Sequence, residues 1–185
     1  RLCAGAVAAR RVAVSSQRLS SALLSRVEDA GLNASAPPQQ RWMDGWLVRY
    51  CPGKAQRARC INALSDGVMP MAERLAACQT LYREAGLRLL VRITPFTRPP
   101  DFDDWLARRH YQRFGESQVM VNQVMATLPP QPLPAGLELQ VVENEAYAHI
   151  VGRFRGTSPT EIKAHARRLH FSPVPYFGSV LRTGD

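Results

Sequence analysis

The pattern of apolar and polar residues between positions 42 and 95 alternates between strand and helix periods. Apolar side chains recur at every second position in a first strand, at Trp46, Val48 and Tyr50. A Pro-Gly turn at 52–53 leads to a second strand at 59–64. One helical face then carries Met71, Leu75, Cys78, Leu81 and Tyr82. Residues 87–93 return to a period of two. The region therefore predicts an α/β layer, with the third strand returning beside the first two.

Three further elements are predicted around this layer. Residues 15–30 form a helix with one apolar stripe, which Gly31 and Asn33 end. A short helix follows Pro99–Asp101, with Phe102, Trp105 and Leu106 on its buried side. Residues 118–124 form another strand, and 34–40 form a loop.

Four prolines between residues 126 and 136 mark the clearest boundary in the chain, because such a stretch is stiff and cannot join a sheet interior. After it, residues 137–141 alternate as a strand. Asn144 caps a helix that carries Phe154 among its inward residues. A capping box at 158–161 opens a second helix, and residues 176–181 form a strand.

The formal charge of +9 is carried by arginine, since Lys54 and Lys163 are the only lysines. Residues 1–20 hold four arginines and no acid, which favours a solvated, disordered basic tail at 1–17. A basic nucleic-acid-binding module is an alternative, but elsewhere arginines and acids are interspersed rather than gathered on one face. No apolar run approaches the roughly 20 residues that span a bilayer, so no membrane partner is expected.

The four cysteines and four histidines do not form a recognisable metal or catalytic pattern. No Cys-x-x-Cys pair is present, and no His lies at zinc-finger spacing, so no metal site is predicted. Cys51 and Cys60 could face each other across a hairpin, and we expect them to be reduced in a cytoplasmic protein. For each histidine, surface or capping roles are favoured over catalysis. The acidic run Asp101, Asp103 and Asp104 is favoured as a helix start rather than a cation site.

Several short motifs resemble the first half of two-part bacterial proteins of the GNAT N-acetyltransferase family. These are Arg59-x-x-Asn62-Ala63-Leu64, the run from Leu75 to Leu87, Arg92-Ile-Thr-Pro95, and the run from Asp103 to Tyr111, where His110 replaces the usual glycine. The order strand, helix, helix, strand after the prolines resembles the opening of a GNAT fold. The resemblance implies a GNAT-like mixed sheet flanked by helices at 18–125, a linker at 126–136 and an incomplete second GNAT domain at 137–185.

The loop of this first half departs from the family pattern for coenzyme A. GNAT enzymes hold the pyrophosphate with R-x-x-G-x-G/A at a helix N-terminus, where glycines let backbone N–H groups turn inward. The corresponding loop, Ser65–Pro70, has one glycine, an acid and a proline. The resemblance thus implies that this half does not bind acetyl-CoA and that the cofactor loop follows Asp185, outside the chain.

The resemblance also suggests acceptor-binding residues, because the two helices after the first GNAT strand line the acceptor cleft. The positions that match are Phe154, Arg155, Phe171 and Tyr176, for which packing of helix ends against the sheet is the alternative. The implied function of the complete protein is acetyl transfer from acetyl-CoA to a small-molecule or peptide amine. Two alternatives stay open: a non-catalytic interaction domain that completes a substrate cleft or a homodimer, and the nucleic-acid module. No catalytic residue can be assigned from the sequence.

Overall fold

The protein is a mixed α/β structure, as predicted. The computed structural model describes residues 19–121 and 132–183, so the predicted tail and most of the predicted linker lie outside the described residues. The elements are α1 Ser21–Ala34, β1 Gln40–Met43, β2 Trp46–Arg49, β3 Ile61–Ala63, α2 Met71–Glu84, β4 Val91–Arg92, α3 Phe102–Ala107, β5 Leu137–Val142, α4 Asn144–Phe154, α5 Pro159–His170 and β6 Gly178–Thr183. We call residues 19–121 the N-terminal unit and residues 132–183 the C-terminal unit.

The N-terminal unit contains a four-stranded mixed sheet in the order β1-β2-β3-β4. The first three strands are antiparallel, and β4 runs parallel to β3 because α2 connects them as a crossover. Strand β1 was not predicted. It pairs with β2 through a tight turn at Asp44 and Gly45, whose positive φ angles of 44° and 85° match the twist of a two-residue hairpin.

The core of the N-terminal unit lies between the sheet and helices α2 and α3. Trp46 and Phe102 are fully buried, and their ring centroids are 5.2 Å apart. The predicted inward face of α2 is confirmed in part: Leu75, Cys78 and Tyr82 are buried, whereas Met71 and Leu81 are partly buried. The hydroxyl of Tyr82 donates a 2.5 Å hydrogen bond to the carbonyl oxygen of Arg49, which ties α2 to β2. Apolar burial of this kind is the main stabilising contribution to a domain this small.

Helix α1 begins at Ser21 and ends later than predicted, while residues 15–18 of the predicted helix lie outside the described residues. Its cap is Ser20, whose Oγ accepts a 3.2 Å hydrogen bond from the N–H of Leu23. The helix continues through Gly31 and Asn33 because tertiary contacts hold its last turn: the buried guanidinium of Arg49 donates to the carbonyl oxygen of Leu32 at 2.8 Å. Such contacts outweigh the weak intrinsic preference of Gly and Asn.

Two predicted strands are shorter than expected or absent. The returning strand is confined to Val91–Arg92, since residues 87–90 do not pair regularly. Residues 118–121 form no strand, and 122–124 lie outside the described residues. Val119 and Met120 are exposed, at 59% and 83%, so this segment has no apolar surface to pack against within the part that the structure describes.

The C-terminal unit has the predicted order of strand, helix, helix and strand. Strands β5 and β6 pair antiparallel from Leu137–Thr183 to Val142–Gly178. The first predicted residue of β6, Tyr176, precedes the strand. Phe154 was predicted to face inward but is 87% exposed, because the buried side of α4 contains Ala148 and Gly152, and a residue two positions after Gly152 points to the opposite side of the helix. None of the described helices is long and apolar enough to cross a membrane.

Candidate functional site

The four predicted acceptor-binding residues do not form one cluster. Phe154 and Phe171 are exposed, and the guanidinium of Arg167 lies 5.8 Å from the ring centroid of Phe171. Tyr176 is partly buried, and its ring packs 5.9 Å from that of Tyr147. Arg155 lines a cleft between the two units. The structure therefore gives only Arg155 a place in a concave site.

The cleft lies between the turn at 52–58 of the N-terminal unit and helices α4 and α5. We call it the arginine cleft. It has a volume of about 180 Å³. Its lining comprises Pro52, Gly53, Lys54, Ala55, Ala58, Val151, Gly152, Arg155, Thr157, Glu161, Ile162, Ala164, His165 and Arg168. Neither unit alone provides all of its walls.

Close packing of α4 against α5 shapes one side of the arginine cleft. Gly152 faces Ile162 so tightly that an added Cβ atom would lie 2.6 Å from Ile162 Cδ1. The turn between the helices ends at Ser158, which starts α5 with the predicted capping box: Ser158 Oγ accepts from the Glu161 N–H, and the Glu161 carboxylate accepts from the Ser158 N–H at 3.2 Å. These local interactions fix where α5 begins relative to α4.

Helix α5 presents three polar side chains to the cleft at positions 161, 165 and 168. This i, i+4, i+7 spacing places Glu161, His165 and Arg168 on one helical face. The spacing was visible in the sequence, but it cannot show that the face opens onto a cleft. His165 and Arg168 were consequently not predicted as site residues.

The electrostatics of the cleft are dominated by cations. Burial lowers the pKa of His165, and the nearby charges of Arg168 and Arg155 lower it further. His165 is therefore held neutral at physiological pH, and both arginines lie close enough to act on it. Burial and the neighbouring Tyr147 raise the pKa of Tyr176, and both arginines oppose that shift. Tyr176 is thus electrostatically close to the cleft although it does not line it.

A second candidate is the loop Ser65–Pro70, for which no binding of acetyl-CoA was predicted, and a side chain of the protein already fills it. The carboxylate of Asp44 accepts hydrogen bonds from the N–H groups of Val68 and Met69, each 2.9 Å long. These bonds, opposed by burial and reinforced by the charge of Arg74, lower the pKa of Asp44. The carboxylate stands where an external anion would have to bind.

Arg74 completes this arrangement from α2. Its Nη1 donates to the carbonyl oxygen of Asp44 at 2.8 Å, and its Nε lies 3.2 Å from Asp44 Oδ2 as an ion pair without hydrogen-bond alignment. The same guanidinium covers the ring of Trp46 at 4.8 Å. Asp44, which follows the unpredicted strand β1, was missed as a partner of this loop because 24 residues separate it from Val68.

Residues weighed for metal binding do not gather into a site. Asp103 and Asp104 lie in the first turn of α3, and Asp103 pairs with Arg113. Cys51, Cys60 and Cys78 are buried free thiols whose pKa values are raised, chiefly by burial. Among residues 19–121 and 132–183, no group of three or more His, Cys, Asp or Glu side chains could hold a metal ion.

Comparison with known protein families, with curated proteins and with solved structures finds no match to this chain.

Proposed function

We propose that this chain is part of a GNAT-type N-acetyltransferase, in which the N-terminal unit is non-catalytic and the arginine cleft binds the amine acceptor. The mixed α/β fold is consistent with this assignment. Further support comes from the order β5-α4-α5-β6, in which the two strands are antiparallel neighbours. In the N-terminal unit, β3, α2 and the parallel β4 provide the strand–helix–strand arrangement that such a sheet requires.

The observation that carries the non-catalytic role of the N-terminal unit is the position of the Asp44 carboxylate. A helix N-terminus preceded by free backbone N–H groups binds phosphate well. Here two of those N–H groups, at Val68 and Met69, already donate to Asp44, and Pro70 has no N–H to offer. A diphosphate would have to displace a carboxylate that Arg74 also stabilises. We therefore assign a structural role to this loop.

Acetyl transfer would require three contributions from the rest of the protein. The amine must lose a proton, attack the thioester carbon and have the resulting oxyanion stabilised by a backbone N–H. His165 is held neutral beside the cleft and can accept a proton. We assign no base, because no described contact connects His165 to an acceptor.

The test compares the 185-residue chain with the product of the complete natural coding sequence. Calorimetric titration with acetyl-CoA should give no heat for the 185-residue chain and saturable binding for the complete product. Release of free coenzyme A thiol in the presence of amines should follow only in the second case. No acetyl-CoA binding by the complete product would contradict the enzymatic proposal. Heat from the 185-residue chain would contradict the structural role of the N-terminal unit.

The non-catalytic alternative for the N-terminal unit has support of its own. Its turn at 52–58 forms a wall of the arginine cleft, and Lys54 Nζ lies 3.4 Å from the Glu161 carboxylate of the C-terminal unit. We infer that the N-terminal unit completes the acceptor cleft. Its removal should therefore abolish acceptor binding in the complete protein while cofactor binding remains, which calorimetry with each ligand would measure.

A further inference from the structure

Arg155 and Arg168 face the arginine cleft without a carboxylate partner in the described ranges. The ion pairs within those ranges join Lys54 to Glu161, Arg74 to Asp44, Arg92 to Glu28 and Arg113 to Asp103. Arg168 is partly buried, so leaving its charge without an anion carries a desolvation cost. Both arginines line the same cleft as His165, and their charges help to lower its pKa.

The single carboxylate in the lining, that of Glu161, forms no ion pair with either arginine within the described residues. Glu161 Oε2 accepts hydrogen bonds from the Ser158 hydroxyl at 2.8 Å and from the Ser158 N–H at 3.2 Å, and it also pairs with Lys54. Glu161 Oε2 is therefore occupied by the capping box and by Lys54. The lining contains three cations, at Lys54, Arg155 and Arg168, against this one acid.

We propose that the arginine cleft binds an oxyanion, a carboxylate or a phosphate group, carried by the acceptor substrate. Arginine suits this role because its planar guanidinium donates two parallel N–H bonds to such a group. Identification of the ligand as the acceptor depends on the proposed acetyltransferase function. The binding of an oxyanion does not depend on it.

The dimensions and the remaining lining indicate that the oxyanion belongs to a larger molecule. The cleft volume of about 180 Å³ is several times larger than the roughly 30 Å³ that one water molecule occupies in the liquid. Val151, Ile162 and Ala58 provide apolar wall, and Thr157 adds a hydroxyl. The lining therefore fits a molecule with an anionic group and an apolar part, which under the proposed function is the amine acceptor.

The experiment follows the imidazole signal of His165 by NMR, with sodium sulfate as the probe for phosphate. The His165→Gln variant identifies the signal among the four histidines. An anion placed between the arginines favours the charged imidazole, so the pKa of His165 should rise with sulfate in a saturable manner. Sodium chloride at equal ionic strength should produce a smaller shift without saturation. A parallel titration with sodium acetate separates carboxylate from phosphate as the preferred group.

Substitutions localise the response. Arg155→Gln and Arg168→Gln should each weaken sulfate binding about tenfold, because each removes charge-assisted hydrogen bonds. Arg153→Gln is the matched control: Arg153 is an exposed arginine in the last turn of α4, two residues before Arg155, that does not line the cleft, and its variant should bind sulfate as the parent does. Dispersed amide spectra establish that each variant is folded, and Arg155 is exposed enough that its variant should fold.

The outcomes separate this inference from the proposed function. A sulfate response equal to that of chloride, or one that Arg153→Gln reduces as much as Arg155→Gln, would overturn the oxyanion site. Saturable binding that both cleft variants weaken would support it even if the complete protein transfers no acetyl group. In that case the site stands and the enzymatic proposal fails.

Discussion

The two units of this chain use arginine in different ways. In the N-terminal unit, three buried or partly buried arginines of the sheet and of α2 have defined partners: Arg49 donates to the carbonyl oxygen of Leu32, Arg74 pairs with Asp44, and Arg92 Nη2 donates to Glu28 at 2.9 Å. In the C-terminal unit, Arg155 and Arg168 face a cleft and pair with no carboxylate in the described ranges. Paired arginines hold elements together, whereas the unpaired ones are available to a ligand.

The two units also differ in how far they bury their large apolar side chains. The N-terminal unit buries Trp46, Phe102 and Tyr82 almost completely. In the C-terminal unit, Leu139 and Leu181 are directly opposed across β5 and β6 and are 57% and 56% exposed. The first unit therefore has a packed core, and we expect variants of its core residues, which lie away from the cleft wall at 52–58, to change stability rather than binding.

The largest expected effect comes from the centre of that scaffold. Trp46→Ala should lower the free energy of unfolding by about 3–5 kcal/mol, because it removes a fully buried ring and leaves a cavity. Trp42→Ala, four residues earlier at 65% exposure, should change it by less than about 1 kcal/mol. Urea denaturation followed by circular dichroism measures both. Equal effects would show that the sheet does not enclose Trp46 as described.

A smaller effect is expected where α4 and α5 define the cleft. Gly152→Ala should destabilise the protein by about 1–3 kcal/mol, since the new methyl group would overlap Ile162. It should also weaken sulfate binding, because the helices must separate. Gly156→Ala is the control: its Cβ would meet nothing within 4 Å, and its φ of 56° costs about 1 kcal/mol. Its sulfate response should be retained, and a loss equal to that of Gly152→Ala would contradict the role of helix spacing.

The sequence predicted the elements whose signals are local. The face of α2 and the capping box at Ser158 follow from spacing over a few residues, and both are present in the structure. Strand β1 was missed although Asp44-Gly45 is a hairpin signal, because the strand before this turn is only four residues long. The length of α1 depends on Arg49, which is distant in sequence.

The candidate site was much less predictable than the fold. Its walls come from 52–58 and from 151–168, and no local pattern shows that these segments meet. Arg155 was proposed from the resemblance to GNAT proteins, and the structure places it in the cleft without testing its role. Phe154 was expected to face inward because its spacing fits the helix period. The period alone does not show which side of α4 has packing partners, and Phe154 is exposed.

A third pair of variants tests the link between α2 and β2. Tyr82→Phe should lower the free energy of unfolding by about 1–2 kcal/mol, because the carbonyl oxygen of Arg49 loses its donor in a buried place. Tyr111→Phe removes a hydroxyl that accepts from Gln79 at 3.0 Å on the exposed surface. Water can replace that contact, so the change should stay within about 0.5 kcal/mol. Similar losses in the two variants would contradict the structural importance of the buried bond.

The smallest expected effect is a change in pH dependence at the loop that Asp44 fills. The folded protein lowers the pKa of Asp44 below its ordinary value of 3.8, so the charged carboxylate contributes stability above that pH. This contribution is lost as the pH falls through the lowered pKa. Asp44→Asn lacks it throughout, so the difference in urea midpoint between parent and variant should be constant from pH 7 to about pH 4 and should narrow below pH 3.8. A difference that stays constant down to pH 2 would mean that the charge of Asp44 does not stabilise the loop, and the N–H groups of Val68 and Met69 would then be open to an external anion.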